Sequence, residues 1–264
     1  MSSISIAKAF HDARLSAVKL EKYPGEVPSS LEQAYEIQDI AISRWPALVV
    51  GWKVAVILPE WRQTYTAPRF AGPVFANGFS CGAVSSQGPG AIEGGFCAVE
   101  AEFVVKIRRD IPSDLHFDKA ENMLPFVESV HAGIELAGSP LASINDVGPG
   151  AAVSDFGNSM GIVVGDQLTH FGRDGWEKEG ASIFIDDVEI GRGTAANVPG
   201  GPLEAVLFLV SHLATRGRIV RAGDWISTGA ATGVHKTKAG SRIRAHFNAG
   251  ASVSMEIGHS QPVT

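Results

Sequence analysis

An α+β fold weighted to β-strands, with a small helical segment at its N-terminus, is what this chain predicts. Three features carry that expectation. Apolar residues recur at three- and four-residue steps mainly over the first 45 positions. Beyond them the pattern changes to short alternating or continuous apolar runs, the mark of half-buried and buried strands. Thirty glycines and fourteen prolines among 264 residues supply the turns that a strand-rich fold needs. With 45% hydrophobic residues, the chain can bury one large core, or one core plus a small helical subdomain.

The elements follow in order. Residues 4–20 form an amphipathic helix, with Ile6, Ala9, Phe10, Leu15 and Val18 near one face. A Pro/Gly loop at Tyr23–Pro28 leads to Ser29 or Ser30, a helix cap. A second helix then spans about 30–45 and stops at Pro46. Residues 49–58 read as a buried strand, and Gly82–Gly95 as a loop. Phe96–Ile107 alternates with period two and predicts a strand. Phe126–Leu136 fits strand or helix equally. Met160–Val164 and Ser182–Ile190 read as strands. Pro202 and Arg216-Gly217 bracket a third helix. Asp224–Ser227 is a short strand, and 242–247 with 253–257 a closing hairpin.

The strand at 96–107 holds the first chemical signal. One face is wholly apolar: Cys97, Val99, Ala101, Phe103, Val105 and Ile107. The other carries Glu100 and Glu102, roughly 7 Å apart along the strand. Two like charges on one face need protons, a cationic partner or a hard metal such as Mg²⁺. The plain alternative is a surface strand with two solvated acids. Lys53 lies between Trp52 and Val54 in an apolar run. It either snorkels to solvent or is buried with a partner, where it would serve as an acid, base or anion holder. Glu135 sits in the small, apolar stretch His131–Ala137, as a salt-bridged structural acid or a third carboxylate beside Glu100 and Glu102. Three carboxylates with open water positions suit Mg²⁺ or Mn²⁺. Asp155–Ser159 and Thr228–Gly233 are turn-forming clusters that could also offer donors to a ligand.

Several classes are excluded. There is no Gly-x-Ser-x-Gly elbow, P-loop or His-Glu-x-x-His, and the eight histidines show no ligand spacing. Gly191–Ala196 is half a dinucleotide fingerprint without its βαβ context or acid. A net charge of −6 without a basic run argues against nucleic acid. Two cysteines, Cys81 and Cys97, make no disulfide framework. Without a signal-peptide pattern or a long apolar run, a soluble cytoplasmic protein with no membrane partner is expected.

Taken together, Gly51–Val54, Val99–Phe103, Ile134–Leu136, Ser154–Ser159 and Ala222–Gly229 resemble the fumarylacetoacetate hydrolase superfamily. With the helical segment around Ala34–Gln38, they most resemble its branch of 2-keto-4-pentenoate hydratases and 4-oxalocrotonate decarboxylases. The resemblance implies a flattened barrel of mixed β-sheets behind a small helical subdomain, here 1–75, with the β-rich catalytic domain at 76–264. It implies Mg²⁺ or Mn²⁺ on Glu100, Glu102 and Glu135, a 2-oxo acid substrate, and Lys53 as the active-site lysine. Asp155, Ser159, Thr232 and Arg69 become the substrate-binding candidates. A homo-oligomer is implied, as is a complex with a homologous decarboxylase or aldolase. Two departures stand out. Ala55-Val56-Ile57-Leu58 replaces the branch's Gly and Ser/Thr residues after the lysine. Arg69-Phe70-Ala71-Gly72-Pro73 lacks the Asp expected near the substrate, and Arg69 there would hold a second carboxylate. The expectation is a hydratase of a 2-hydroxydienoate from aromatic-compound breakdown. The alternatives are a decarboxylase or a non-catalytic partner subunit.

Overall fold

The computed structural model describes residues 2–82, 84–85, 89–172 and 174–262. The chain opens with α1 (Ser3–Leu15) and α2 (Leu31–Arg44), then β1 (Val49–Val56), β2 (Arg69–Phe75), β3 (Phe79–Cys81), β4 (Val84–Ser85) and β5 (Gly90–Ala91). Two long strands follow, β6 (Phe96–Ile107) and β7 (Val127–Ser139), then the short helices α3 (Ile144–Val147) and α4 (Pro149–Ser154). Next come β8 (Ser159–Gln167), β9 (Gly180–Ile185), β10 (Val188–Thr194) and α5 (Pro202–Thr215). The chain closes with β11 (Trp225–Ala230), β12 (His235–Lys236), β13 (Arg242–Phe247), β14 (Ser252–Glu256) and β15 (Gly258–His259).

Local chemistry sets the boundaries. Ser2 and Ser30 cap α1 and α2 by accepting from the backbone N–H groups of Ser5 and Gln33. Trp45 turns to extended backbone before Pro46 and ends α2. The segment 126–136 is strand, not helix. The expected single strand at 182–190 is a hairpin instead. Asp186 and Asp187 take φ of 49° and 68°, the two left-handed positions that a tight β-hairpin demands. The loop expected at 82–95 contains the short strands β4 and β5.

Eight strands build one curled sheet, in the order β2-β1-β11-β6-β7-β8-β3, with β12 also paired to β6. A second sheet runs β10-β9-β13-β14-β4. The apolar face of β6 (Val99, Ala101, Phe103, Val105, Ile107) packs in the main core with Ile183, Ile243, Val253 and Met255 of the second sheet and with Leu209 and Leu213 of α5. The opposite face is divided. Phe96 and Ala98 lie in a cluster with α1, α2 and α4, whereas Val104 belongs to a small cluster with Val74, Ile162 and Val164. Glu100 and Glu102 occupy the strand between these two apolar clusters.

β1 and β2 are strands of the same sheet as β6, so the expected boundary near residue 75 falls at the end of a strand within that sheet. The helices are tied down by polar contacts as well. Gln38 of α2 donates to the carbonyls of Ala71 (3.1 Å) and Val153 (2.9 Å), and the Ala71 N–H donates to the Tyr35 hydroxyl (2.9 Å).

At the rim of the sheet, β2 passes against the Phe156–Asn158 turn without room for a side chain. A Cβ at Gly72 would stand 2.0 Å from the Phe156 carbonyl oxygen. We expect Gly72→Ala to cost about 1–3 kcal/mol of stability as an overpacking change. It would be read as a lower denaturant midpoint, and an unchanged midpoint would contradict the close approach.

Candidate metal and substrate site

Strand register brings the acids together. In the antiparallel β6–β7 pair, Glu100 and Glu135 are direct partners, and Glu102 lies two residues along β6 on the same face. Lys53 enters from β1, opposite Ser227 of β11, the strand between β1 and β6. One carboxylate oxygen from each of Glu100, Glu102 and Glu135 falls within 4.8 Å of the other two. None of the four groups is at the surface: Glu135 is 0% exposed, Glu102 1%, Lys53 2% and Glu100 7%. The reading of solvated acids on a surface strand is therefore wrong.

Each group is held from several sides. Glu102 Oε2 accepts from the Ser227 hydroxyl (2.6 Å) and the Gly229 N–H (2.8 Å). The Lys53 ammonium stands 3.4 Å from Glu135 Oε1, donates to Asn158 Oδ1 (3.3 Å) and lies 5.4 Å from the centre of the Phe70 ring. The 3.4 Å approach is an ion-pair contact without hydrogen-bond geometry. Glu102 Oε1 and both Glu135 oxygens are buried with no hydrogen-bond partner. Buried polar atoms are ordinarily satisfied, so three carboxylate oxygens without hydrogen bonds, in a cluster whose acids approach one another to within 4.8 Å, mark a place built for a ligand. Hard oxygen donors in that number fit a divalent cation such as Mg²⁺ or Mn²⁺.

Charge accounting leads to the same place. Three carboxylates against one ammonium leave two negative charges without compensation in a dry interior. Burial and the neighbouring Glu135 push the Glu100 carboxyl up to about 7. Burial, with Glu135 and Glu100 beside it, also raises Glu102 well above the carboxylate range. Glu135 is raised by burial, with Lys53 opposing. Burial works against a charged Lys53, but the attraction of Glu135, Glu100 and Glu102 outweighs it and raises its pKa.

A cavity of about 400 Å³ opens beside the cluster, and Lys53 and Glu100 reach it. The other sequence candidates lie elsewhere. Asp155 is fully buried and accepts from Arg14 Nε at 2.5 Å. That guanidinium also donates to the carbonyls of Ser159 (2.9 Å), Gly138 (3.0 Å) and Asp155 (3.2 Å). Asp155 is thus the anchor of α1 rather than a substrate contact. Ser159 is buried, with its hydroxyl beside Glu135. Thr232 accepts from the Ala101 N–H (3.3 Å) and fixes β6 from behind. Arg69 donates through Nη2 to the Pro199 carbonyl. None of these four lines the cavity.

Two contributors were not singled out from the sequence. Asn158 bridges Lys53 to Asn145, donating to Asn145 Oδ1 at 2.9 Å. It does so from a run of three left-handed residues, with φ of 55° at Phe156, 65° at Gly157 and 53° at Asn158. The turn itself is the Asp155–Ser159 cluster expected from the sequence, and its Gly-Asn pair suits this backbone because both residues tolerate positive φ.

The fold is that of the fumarylacetoacetate hydrolase superfamily. No family model matches the chain. Among solved structures it is similar to 4-oxalocrotonate decarboxylase from Pseudomonas putida G7, complexed with magnesium and adipate, at 20% identity over 97% of both chains and a TM-score of 0.80. It is also similar to fumarylpyruvate hydrolase from Pseudomonas aeruginosa, in complex with Mn²⁺ and pyruvate. That match has 15% identity, covers 81% of this chain and 91% of the other, and has a TM-score of 0.56. A third, maleylpyruvate hydrolase from Sphingobium sp. SYK-6, has 15% identity, covers 79% and 71% of the two chains, and has a TM-score of 0.53.

The raised carboxyls make a pH prediction. A carboxyl whose folded pKa exceeds its unfolded value binds more protons when folded, so stability falls as pH rises between the two values. For Glu100 that window runs from 4.5 to about 7. The metal-free protein should melt at steadily lower temperature across it, and Glu102→Gln should flatten the slope. Calorimetric scans at several pH values check this; a rising melting temperature through the window would contradict it.

Proposed function

We propose that this protein is a divalent-metal-dependent lyase that acts on a small 2-oxo acid through its enol or enolate. The observation that carries the reading is the buried Glu100–Glu102–Glu135 cluster, with orphaned oxygens and two unbalanced charges, beside a charged lysine at the end of a cavity. The metal complexes of similarly folded proteins support it.

Glu100, Glu102 and Glu135 would hold the cation. When bound, such an ion would draw electron density from the 2-oxo group and lower the cost of negative charge on that oxygen. Ser227 and the Gly229 N–H keep Glu102 in place, so the donor set is preorganised rather than assembled on binding. Lys53 is held protonated by its acidic neighbours and oriented by Asn158. Its Nζ is thereby placed to exchange a proton with the carbon that ketonises. The apolar walls keep bulk water from competing for that proton.

Hydration of a 2-hydroxydienoate is the form of the chemistry we favour: ketonisation by proton transfer, then addition of water to the conjugated double bond. Decarboxylation is the second reading, supported by the match to the oxalocrotonate decarboxylase over 97% of both chains. Turnover of 2-hydroxypenta-2,4-dienoate and 2-hydroxymuconate-type acids, with and without Mg²⁺, separates the two. No turnover of any 2-oxo acid by metal-loaded protein would overturn both.

Two substitutions test the division of labour. Glu102→Gln should weaken Mg²⁺ binding by about 100-fold, since even outer-shell changes reach that size. Titration calorimetry reads this directly. Lys53→Met should leave Mg²⁺ affinity within a few-fold and lower kcat by at least about 100-fold, the usual reach of acid–base catalysis.

A further inference from the structure

We infer that the substrate is a 2-oxo monocarboxylic acid whose tail is hydrocarbon, and that the cavity selects against dicarboxylates; this rests on the reading of the site as a 2-oxo acid site. The cavity holds about 400 Å³, far more than the head of such an acid occupies. Beyond Lys53 and Glu100, its walls include Leu58, Trp61, Phe70, Pro149, Val198 and Val234. Several of its amide groups are already engaged. Asn158 bonds both Lys53 and Asn145, and Asn197 Oδ1 accepts from the Thr194 N–H (2.7 Å) and hydroxyl (3.0 Å).

Among the described residues, Lys53 is the only cationic side chain lining the cavity. Arg69, expected to receive a second carboxylate, gives Nη2 to the Pro199 carbonyl, keeps Nη1 buried without a hydrogen bond, and stands outside the lining. A carboxylate at the far end would lose water without meeting a second cationic side chain in the lining, whereas a hydrocarbon tail gains by burial. The rim continues the pattern: Leu58 and Val234 are both 54% exposed. They would close over a tail and gain nothing from a charge.

Titration calorimetry on the Mg²⁺-loaded protein tests this with oxalate, pyruvate, 2-oxohexanoate and 2-oxoadipate. The last two share a chain length and differ in the terminal carboxylate. We expect 2-oxohexanoate to bind at least about tenfold more tightly than both pyruvate and 2-oxoadipate, from burial of three added carbons and an unpaired charge, respectively. Equal or tighter binding of 2-oxoadipate would overturn the inference while leaving the 2-oxo acid site in place. Failure of oxalate and pyruvate to bind at all would overturn the site reading, and the inference with it. Leu58→Lys and Val234→Lys, both at half-exposed positions that accept charge, should raise 2-oxoadipate affinity about tenfold and leave oxalate unchanged. No change in the 2-oxoadipate to 2-oxohexanoate ratio in either variant would overturn the placement of the tail.

Discussion

Two unbalanced negative charges buried between strands constrain the centre of this molecule. Carboxylates do not lie in a dry interior without protons or cations, and one lysine cannot neutralise three. The surrounding structure answers that problem piece by piece. The Ser227 hydroxyl and the Gly229 N–H take one oxygen of Glu102, Lys53 leans on Glu135, and Asn158 steadies Lys53. What these leave is Glu102 Oε1 and both Glu135 oxygens without hydrogen bonds. Protons on the raised carboxyls, or a positive ion, would relieve the charge left there.

Sheet register is what creates the problem and its use. Glu100 opposite Glu135 is a like-charge cross-strand pair, which would be selected against on an exposed sheet. Burial removes the solvent that would otherwise screen it, and α4 walls the cavity beside the acids through Pro149 and Ala152.

The sequence shows the acids more readily than their neighbours. Glu100 and Glu102 were legible because strand periodicity places alternate residues on one side, and Glu135 and Lys53 because charges inside apolar runs need a reason. Their convergence was beyond local reading, since it depends on the pairing of β1 with β11 and β6 with β7. β2 was given no assignment from the sequence. It is the edge strand of its sheet, where a proline costs no ladder bond, and Gly72 is where Phe156 comes closest. Asp155 read as a ligand contact because its partner, Arg14, is 141 residues away. An ion pair of that span leaves no local trace. The hairpin turn at Asp186-Asp187 was hidden for a different reason: neither residue is the glycine or asparagine that advertises left-handed backbone.

Arg14 has a consequence for how the cavity is entered. From the first helix it binds Asp155, Gly138 and Ser159 at once, across the end of β7 and the start of β8. Breaking it would strand a buried aspartate, at a cost of about 3–5 kcal/mol. The N-terminal helices therefore do not serve as a door. The cavity instead reaches the surface beside Leu58 and Val234, both half-exposed in its lining.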